Sequence, residues 1–481
     1  MNKREIGSNP LRVGIIGGGI AGSTAAIKMS ELGFDIALFD RKSSLVYGPP
    51  ICHLHAGGNL YREISEAQCK DLLKQSIQSV KLYPHTINIR PTVIAIPKSD
   101  QGEPDPLISR LGSIQRYYQQ LVEQDATNEV LGEPKQYFKL YQKKDLERLK
   151  GNHQSAGKLI HDDWMVPFAN HVDLETIKYP VVLVQEYGWS LFRLAASTQL
   201  MLSKFDNAQL YLSTEVTGIE KRDKTWVISF VKGGHKNSVE VDYLINACGF
   251  ETGTLDNWVD APKNRLVEFK AAYIARWNES VSVLWPEVIF HGVRGTVDGM
   301  AQLTPYANGV FQLHGMTDEI TLFKDGLATN DLNSSQPHLP DYLLTKIRHG
   351  WTESQLNLRT QLAIKHISRY IPSFNSATVA GKPLFGAQQV PGNDITLRAS
   401  DVSFAGGNYA RMEIVKGSSA IEASLKIIND MKTNYELSMD YHFDTVSLSP
   451  GDVETSAIKL ASVRGYPAEL AMVSGEQELH R

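Results

Sequence analysis

Hydrophobic positions in the first forty residues change period twice. Residues 11–16 form an apolar run of strand length, 20–32 carry small and apolar residues at helical spacing, and 35–39 return to a strand. Gly33 stands where a glycine just past the last turn stops a helix. The same reading predicts helices over 67–83, 108–124 and 143–149, a strand over 91–97, and a polar, proline-bearing loop over 99–105. Past Pro180, a strand at 181–184 leads into a helix over 189–205 with Leu191, Leu194, Ala195, Leu200 and Leu202 apolar. Strands follow at 209–213, 226–231 and 239–246, and Gly233-Gly234 between the last two indicates a meander. Residues 267–323 are β-rich, with a hairpin signal at Asn308-Gly309 between 300–305 and 310–313. Helices return over 340–370. A strand at 401–405 then enters a long helix ending near residue 431, and a final stretch carries a helix over 454–464. The chain shows no internal repeat and no low-complexity tract.

The first strand-to-helix junction reads Gly17-Gly18-Gly19-Ile20-Ala21-Gly22, and therefore contains Gly-x-Gly-x-x-Gly. That spacing turns the backbone sharply and brings a pyrophosphate against free helix N–H groups. Gly17 permits the turn, Gly19 lets phosphates approach, and Gly22 lets the helix lie close on the sheet. Asp40 follows the second strand about 20 residues on, where an acid takes the adenosine ribose. With Arg41 beside it, this unit suits NAD or FAD equally.

Composition narrows the class. The 481 residues suffice for two packed domains, and 42% hydrophobic with 21% charged content fits a globular protein. Net charge is −4, with no basic block to hold nucleic acid. Cys52, Cys69 and Cys248 form no CxxC pair, which suits a reducing, cytoplasmic setting and argues against a metal site. The polar first ten residues lack an apolar export core, and no run of 18 apolar residues predicts a spanning helix. Peripheral membrane contact stays open.

Two later motifs choose the dinucleotide. Val241-Asp242-Tyr243-Leu244-Ile245-Asn246-Ala247-Cys248-Gly249 ends a strand in a small-residue turn, and Val402-Ser403-Phe404-Ala405-Gly406-Gly407-Asn408 runs a strand into two glycines. With the first unit, these resemble the FAD-dependent oxidoreductases of the D-amino acid oxidase superfamily, the glycine oxidase and sarcosine oxidase group. The resemblance spans about 11–431, specific at three places. It implies an α/β fold: a discontinuous, doubly wound FAD-binding Rossmann-like domain (1–98, 181–262, 385–431) and an α+β substrate domain on a mixed or antiparallel sheet (99–180, 263–384). Residues 432–481 form an extension. It also implies that a helix amino terminus after Gly406, Gly407 and Asn408, with amides near Arg411, Met412 and Glu413, faces the flavin pyrimidine. Ala247 and Gly249 would lie against the cofactor and Val216 would meet the adenine.

The loop Cys52-His53-Leu54-His55-Ala56-Gly57-Gly58 falls where relatives wrap the flavin. His55-Ala56-Gly57-Gly58 is similar to the segment of dimethylglycine and sarcosine dehydrogenases whose histidine bonds covalently to the flavin 8α carbon. Covalent attachment through His55, noncovalent contact and a plain turn histidine are the alternatives, with Cys52 a weaker anchor. The loop is also similar to that of malate:quinone oxidoreductases. A hydroxy acid needs a base to take its O–H proton, whereas a neutral amine surrenders its α-hydride without one. His55 and His314 are candidate bases. Lys270 is a candidate for promoting reaction with oxygen. Arg294, Arg62 and Arg411 are candidate carboxylate forks, and Tyr306 a candidate pocket residue. His161-Asp162-Asp163, read as extended chain, points its side chains to opposite faces and makes no metal site. The expected reaction is oxidation of a small amine or amino acid, with electrons passing to oxygen, a quinone or another carrier. The alternatives are a 2-hydroxy acid dehydrogenase and a FAD-fold binding protein without catalysis.

Overall fold

A computed structural model describes residues 10–48, 50–54, 57–58, 62–400, 402–438 and 446–474. His55 and Ala56 lie outside them. β1 (Arg12–Ile16), α1 (Ile20–Glu31) and β2 (Asp35–Phe39) form the expected crossover, β1 and β2 pairing in parallel. Gly33 has φ +83°, which glycine adopts without strain as the chain leaves the helix.

These strands belong to a six-stranded sheet in the order Val402–Phe404, Tyr409–Met412, Tyr243–Asn246, β1, β2, Ala208–Tyr211. All pairs are parallel except the first. Strands buried on both faces read as continuous apolar runs, which is why 11–16 and 243–246 show no alternation. α1 and the helices Leu191–Leu202 and Ala420–Asn434 cover one face. A three-stranded meander of Thr214–Arg222, Thr225–Lys232 and His235–Val241 covers the other, packing Trp226, Ile228 and Phe230 on Ile16, Ala37 and Phe39.

The second sheet has nine strands and mixed pairing. Its centre is Arg265–Arg276, Val310–Gly315, Ala301–Pro305 and Glu287–Phe290, with Thr378–Pro391 paired to the first. Asn308 and Gly309 turn the expected hairpin at φ +55° and +69°. Thr92–Ala95 and Val181–Val184 pair within this sheet, so the strand pattern does not break at residues 98 and 180.

Four sequence readings are corrected. The strand expected over 239–246 is two strands in different sheets. The loop expected over 99–105 is shorter, because Pro104 opens the helix Pro104–Gln124 at its first position. His161, Asp162 and Asp163 begin a helix, where Asp162 pairs with Lys139 at 2.6 Å and Asp163 accepts from the Ile160 amide. Gly406 and Gly407 do not open a helix. With Asn408 they take φ +76°, +57° and +62° and turn the hairpin between Val402–Phe404 and Tyr409–Met412. The helix starts later, at Ala420 after the short turn Gly417–Ser419.

Candidate active site

The carboxyl ends of the parallel strands and one face of the nine-stranded sheet enclose a cavity of about 270 Å³. Gly19, Ile20 and Ala21 line its first end, and Ala247 and Gly249 lie beside them. The other wall includes Met412, Ile414 and 415–418, the residues leading into the helix at Ala420. One trough therefore joins the first crossover to that helix, but it reaches Gly417 and Ser418 rather than Gly406 and Gly407. The two glycines, with Arg411, line a separate surface pocket.

A dinucleotide fits the first end. No side chain caps α1, so its first-turn amides have no capping acceptor. A Cβ on Gly19 would meet nothing within 4 Å, leaving open space ahead of those amides. Gly17 and Gly22 serve the fold: at φ +106° a Cβ on Gly17 would strike the Ala247 carbonyl, and one on Gly22 the Gly17 carbonyl. Asp40 accepts from Gly18 N and Lys42 N at 2.7 Å each, which leaves each oxygen able to accept again. Burial raises its pKa against the pull of these amides. Arg41 pairs with Glu251 across the rim rather than turning inward. Val216 pairs with Phe230 in the meander, outside the cavity.

With this cradle, the matching family model over residues 12–392 is FAD dependent oxidoreductase, DAO. The chain belongs to the DAO family of FAD-dependent oxidoreductases. Solved structures agree on the fold. Glycine oxidase from Geobacillus kaustophilus superposes with TM-score 0.54 at 12% identity, covering 91% of this chain and 99% of that one. L-alpha-glycerophosphate oxidase from Mycoplasma pneumoniae gives 0.56 at 14%, covering 91% and 97%. L-proline dehydrogenase from P. horikoshii gives 0.55 at 13%, covering 87% and 91%. No curated protein matches the chain. The cofactor of this oxidoreductase is FAD, and Gly19, Ile20, Ala21 and Asp40 fit its ADP end.

The C-terminal extension supports that end. Arg464, just past the helix Pro450–Val463, donates to Ser44 Oγ and to the carbonyls of Leu45 and Val46 at 2.6–3.3 Å. Val46 N in turn donates to Gly18 O at 2.9 Å. Arg464→Ala would leave buried carbonyls unsatisfied. It is expected to lower stability by about 2–3 kcal/mol and to weaken FAD retention, read by denaturant unfolding and flavin titration of the apoprotein.

The second wall follows from strand alternation. Val267, Phe269 and Ala271 face a hydrophobic core, while Glu268 and Lys270 face the cavity. Val288, Phe290, Leu303 and Leu313 likewise face the core, opposite Ile289, Gln302 and His314 on the cavity side. Arg294 also lines the cavity and pairs with Glu268, whose other oxygen is 2.7 Å from Lys270. Burial, then Arg398, lowers the Lys270 pKa to about 7. The Glu63 carboxylate offsets only part of this. Burial lowers Lys416 to about 7 as well, with Arg398 and Lys270 adding to it.

Beneath the cavity lies a charge cluster that sequence reasoning missed. The segment 52–54 pairs with 187–189, Leu54 N donating to Tyr187 O and Trp189 N to Cys52 O, which fixes His53 inward. His53 Nδ1 is 3.1 Å from Glu287 Oε1, and Nε2 is 3.1 Å from Glu186 Oε2. Arg90 donates to Glu287 at 2.5 Å, and Gly58 N to Glu186 at 2.5 Å. Burial alone would lower the His53 pKa, yet Glu287 and Glu186 lift it to about 9. Burial would raise Glu287, yet His53 and Arg90 pull it to about 2. His53 is therefore an imidazolium. A sequence signal existed: Glu287 and Glu186 border or interrupt apolar strand runs, where an acid is rarely buried unless paired.

Glu287 also sets the His314 tautomer. As an acceptor it takes the Gln302 NH₂ at 2.5 Å, so the Gln302 carbonyl faces His314 Nδ1 at 3.3 Å and that nitrogen carries hydrogen. Tyr306 OH donates to the Gln312 carbonyl, turning the Gln312 NH₂ toward His314 Nε2 at 3.4 Å. His314 is thus neutral with its lone pair on Nε2, and burial lowers its pKa to about 4. His291 is lowered to about 3, first by burial and then by Arg62.

Other expected site residues lie elsewhere. Tyr306 is buried outside the cavity lining, and Arg62 pairs with Asp100 at 2.7 Å. Arg411 Nε is 2.6 Å from Asp256, and Glu413 accepts from Ser403 at 2.7 Å and Lys263 at 2.5 Å. Gly57 has φ +97° and a Cβ there would press on Cys69, so its glycine serves the loop. Burial pushes the Cys52 thiol up to about 12, which disfavours the thiolate an attachment to flavin would need. Among the described residues no group of His, Cys, Asp and Glu could hold a metal, and no helix is long and apolar enough to cross a membrane.

Proposed function

We propose that the enzyme oxidises an amine or amino acid at the carbon bonded to nitrogen. When bound, FAD supplies the hydride acceptor. The observation that carries this reading is the state of the cavity histidines. His291 and His314 titrate at about 3 and about 4, so at neutral pH neither is matched to taking an alcohol proton. An amine needs only its lone pair. The substrate ammonium first loses a proton to the unprotonated fraction of Lys270 or Lys416, which titrate at about 7. The α carbon–hydrogen bond then breaks with its electron pair leaving as hydride, and an iminium cation remains, which becomes the imine on losing an N–H proton. Gln312 already donates to His314 Nε2, so the neutral imidazole bounds the pocket, and Arg294 takes a carboxylate. His55 is a second candidate in the loop, whether by contact or by covalent attachment.

The same lysines favour a second reading, oxidation of a 2-hydroxy acid with electrons passed to a quinone, because an amine titrating near 7 can serve as base. Anaerobic bleaching of the flavin by amino acids, N-methyl amines and 2-hydroxy acids separates the two. Bleaching by the nitrogen compounds is expected; bleaching by hydroxy acids alone would replace the first reading with the second. Acid precipitation before the titration tests attachment through His55: flavin staying with the pellet supports it.

A further inference from the structure

The cavity carries more positive than negative charge. Among the described residues, Lys270, Arg294, Arg398 and Lys416 line it, and the carboxylates among its lining are Glu63 and Glu268. The cations fall into two groups. Lys270 and Arg294 share Glu268, while Arg398 pairs with Glu63 at 3.4 Å and Glu63 also acts on Lys416. With its carboxylate counted, each group keeps one positive charge when its lysine is protonated and less as that lysine loses its proton near pH 7. His53 adds nothing, because Glu186 and Glu287 balance it and Arg90. His314 and His291 are neutral, as is the Cys52 thiol. The oxidised isoalloxazine is uncharged, and the two negative charges of the FAD pyrophosphate would lie at the other end of the cavity, before the α1 amides.

We infer that the substrate carries two negative charges held apart, as an amino-dicarboxylate does, with one charge taken by the Lys270–Arg294 group and the other by the Arg398–Lys416 group. This rests on the amine reading only for the identity of the reacting group. Like charges confined in a buried cavity repel, and an entering dianion removes that repulsion. The groups facing the two lysines, Glu63, Glu268, Arg294, Arg398, His314 and Cys52, leave them partly unprotonated near neutrality, consistent with their depressed pKa values. Dianion binding therefore draws protons onto the lysines. Its affinity falls as pH rises above their titration range.

The probe is succinate, which has both carboxylates and no amine to oxidise. The holoenzyme is titrated with succinate, butyrate and inorganic phosphate, following the shift in flavin absorption. Calorimetry in two buffers of different ionisation enthalpy counts protons. Succinate is expected to bind roughly ten- to hundredfold tighter than butyrate, the worth of one charged hydrogen-bonded contact, with net proton uptake near pH 7. Lys416→Gln and Arg294→Gln should each erase most of that preference while the flavin stays bound. Equal affinity for succinate and butyrate, or no proton uptake, would overturn the inference; tighter binding of phosphate than of succinate would overturn the separated charges. A succinate preference without bleaching by any amine would leave this inference standing and remove the amine reading.

Discussion

Gly19→Val is expected to purify folded and colourless. Residue 19 sits at φ −67° and ψ −177°, extended backbone that valine adopts readily, and a Cβ there meets nothing within 4 Å. The apoprotein therefore loses no packing. The isopropyl group instead occupies the space before the uncapped amides of α1, where a pyrophosphate would accept charge-assisted hydrogen bonds. Displacing two or more of these contacts should weaken FAD by at least about a hundredfold. The checks are the flavin band of the purified protein and its melting temperature without cofactor. A variant as yellow as the parent would remove the assignment of this crossover to the cofactor. Gly22→Val is the control with the opposite failure: its side chain collides with the Gly17 carbonyl, so the apoprotein itself should fail to fold.

Glu287→Gln is expected to have the largest effect on stability of any cavity-side substitution. It keeps shape but removes the carboxylate charge that pairs with both His53 and Arg90, each of them buried. Breaking a buried pair by removing one partner costs about 3–5 kcal/mol, read as a drop in the denaturant midpoint. Glu287→Gln combined with Arg90→Met removes one charge of each sign and should recover part of the loss. The pH dependence has a defined direction. His53 is raised to about 9, so its contribution is full below about 6.5 and is lost as pH rises through about 9. Glu287 is lowered to about 2, so its contribution is present above about 4.5 and is lost as pH falls through about 2. Glu287→Gln should move the alkaline loss to lower pH, because the imidazolium has one carboxylate fewer. An unchanged alkaline limb would show that His53 is not the charged partner.

The cofactor end was legible because its constraints are local. A turn, an open approach and a close helix demand three glycines at fixed spacing, and the acid follows at the end of the next strand. The flavin end was legible only in outline. The sequence signal of two glycines marked a tight turn correctly, but a turn that needs positive φ serves a hairpin as well as a helix start, and here it serves the hairpin. The helix that closes the trough begins after Gly417, whose surroundings carry no distinctive spacing.

The sequence by itself determined the family and most strands and helices, and it marked Gly17, Gly19, Gly22 and Asp40 as candidates for the ADP end, because each depends on neighbours within a few residues or on one hydrophobic period. Only the tertiary structure decided which face of the nine-stranded sheet lines the cavity. It also brought Glu186 and Glu287 to opposite sides of His53, and it gathered four cations from separate elements. The physical reason is that charge pairing and burial act between groups more than a hundred residues apart in the chain, as with His53, Glu186 and Glu287. A local pattern carries no record of such separations.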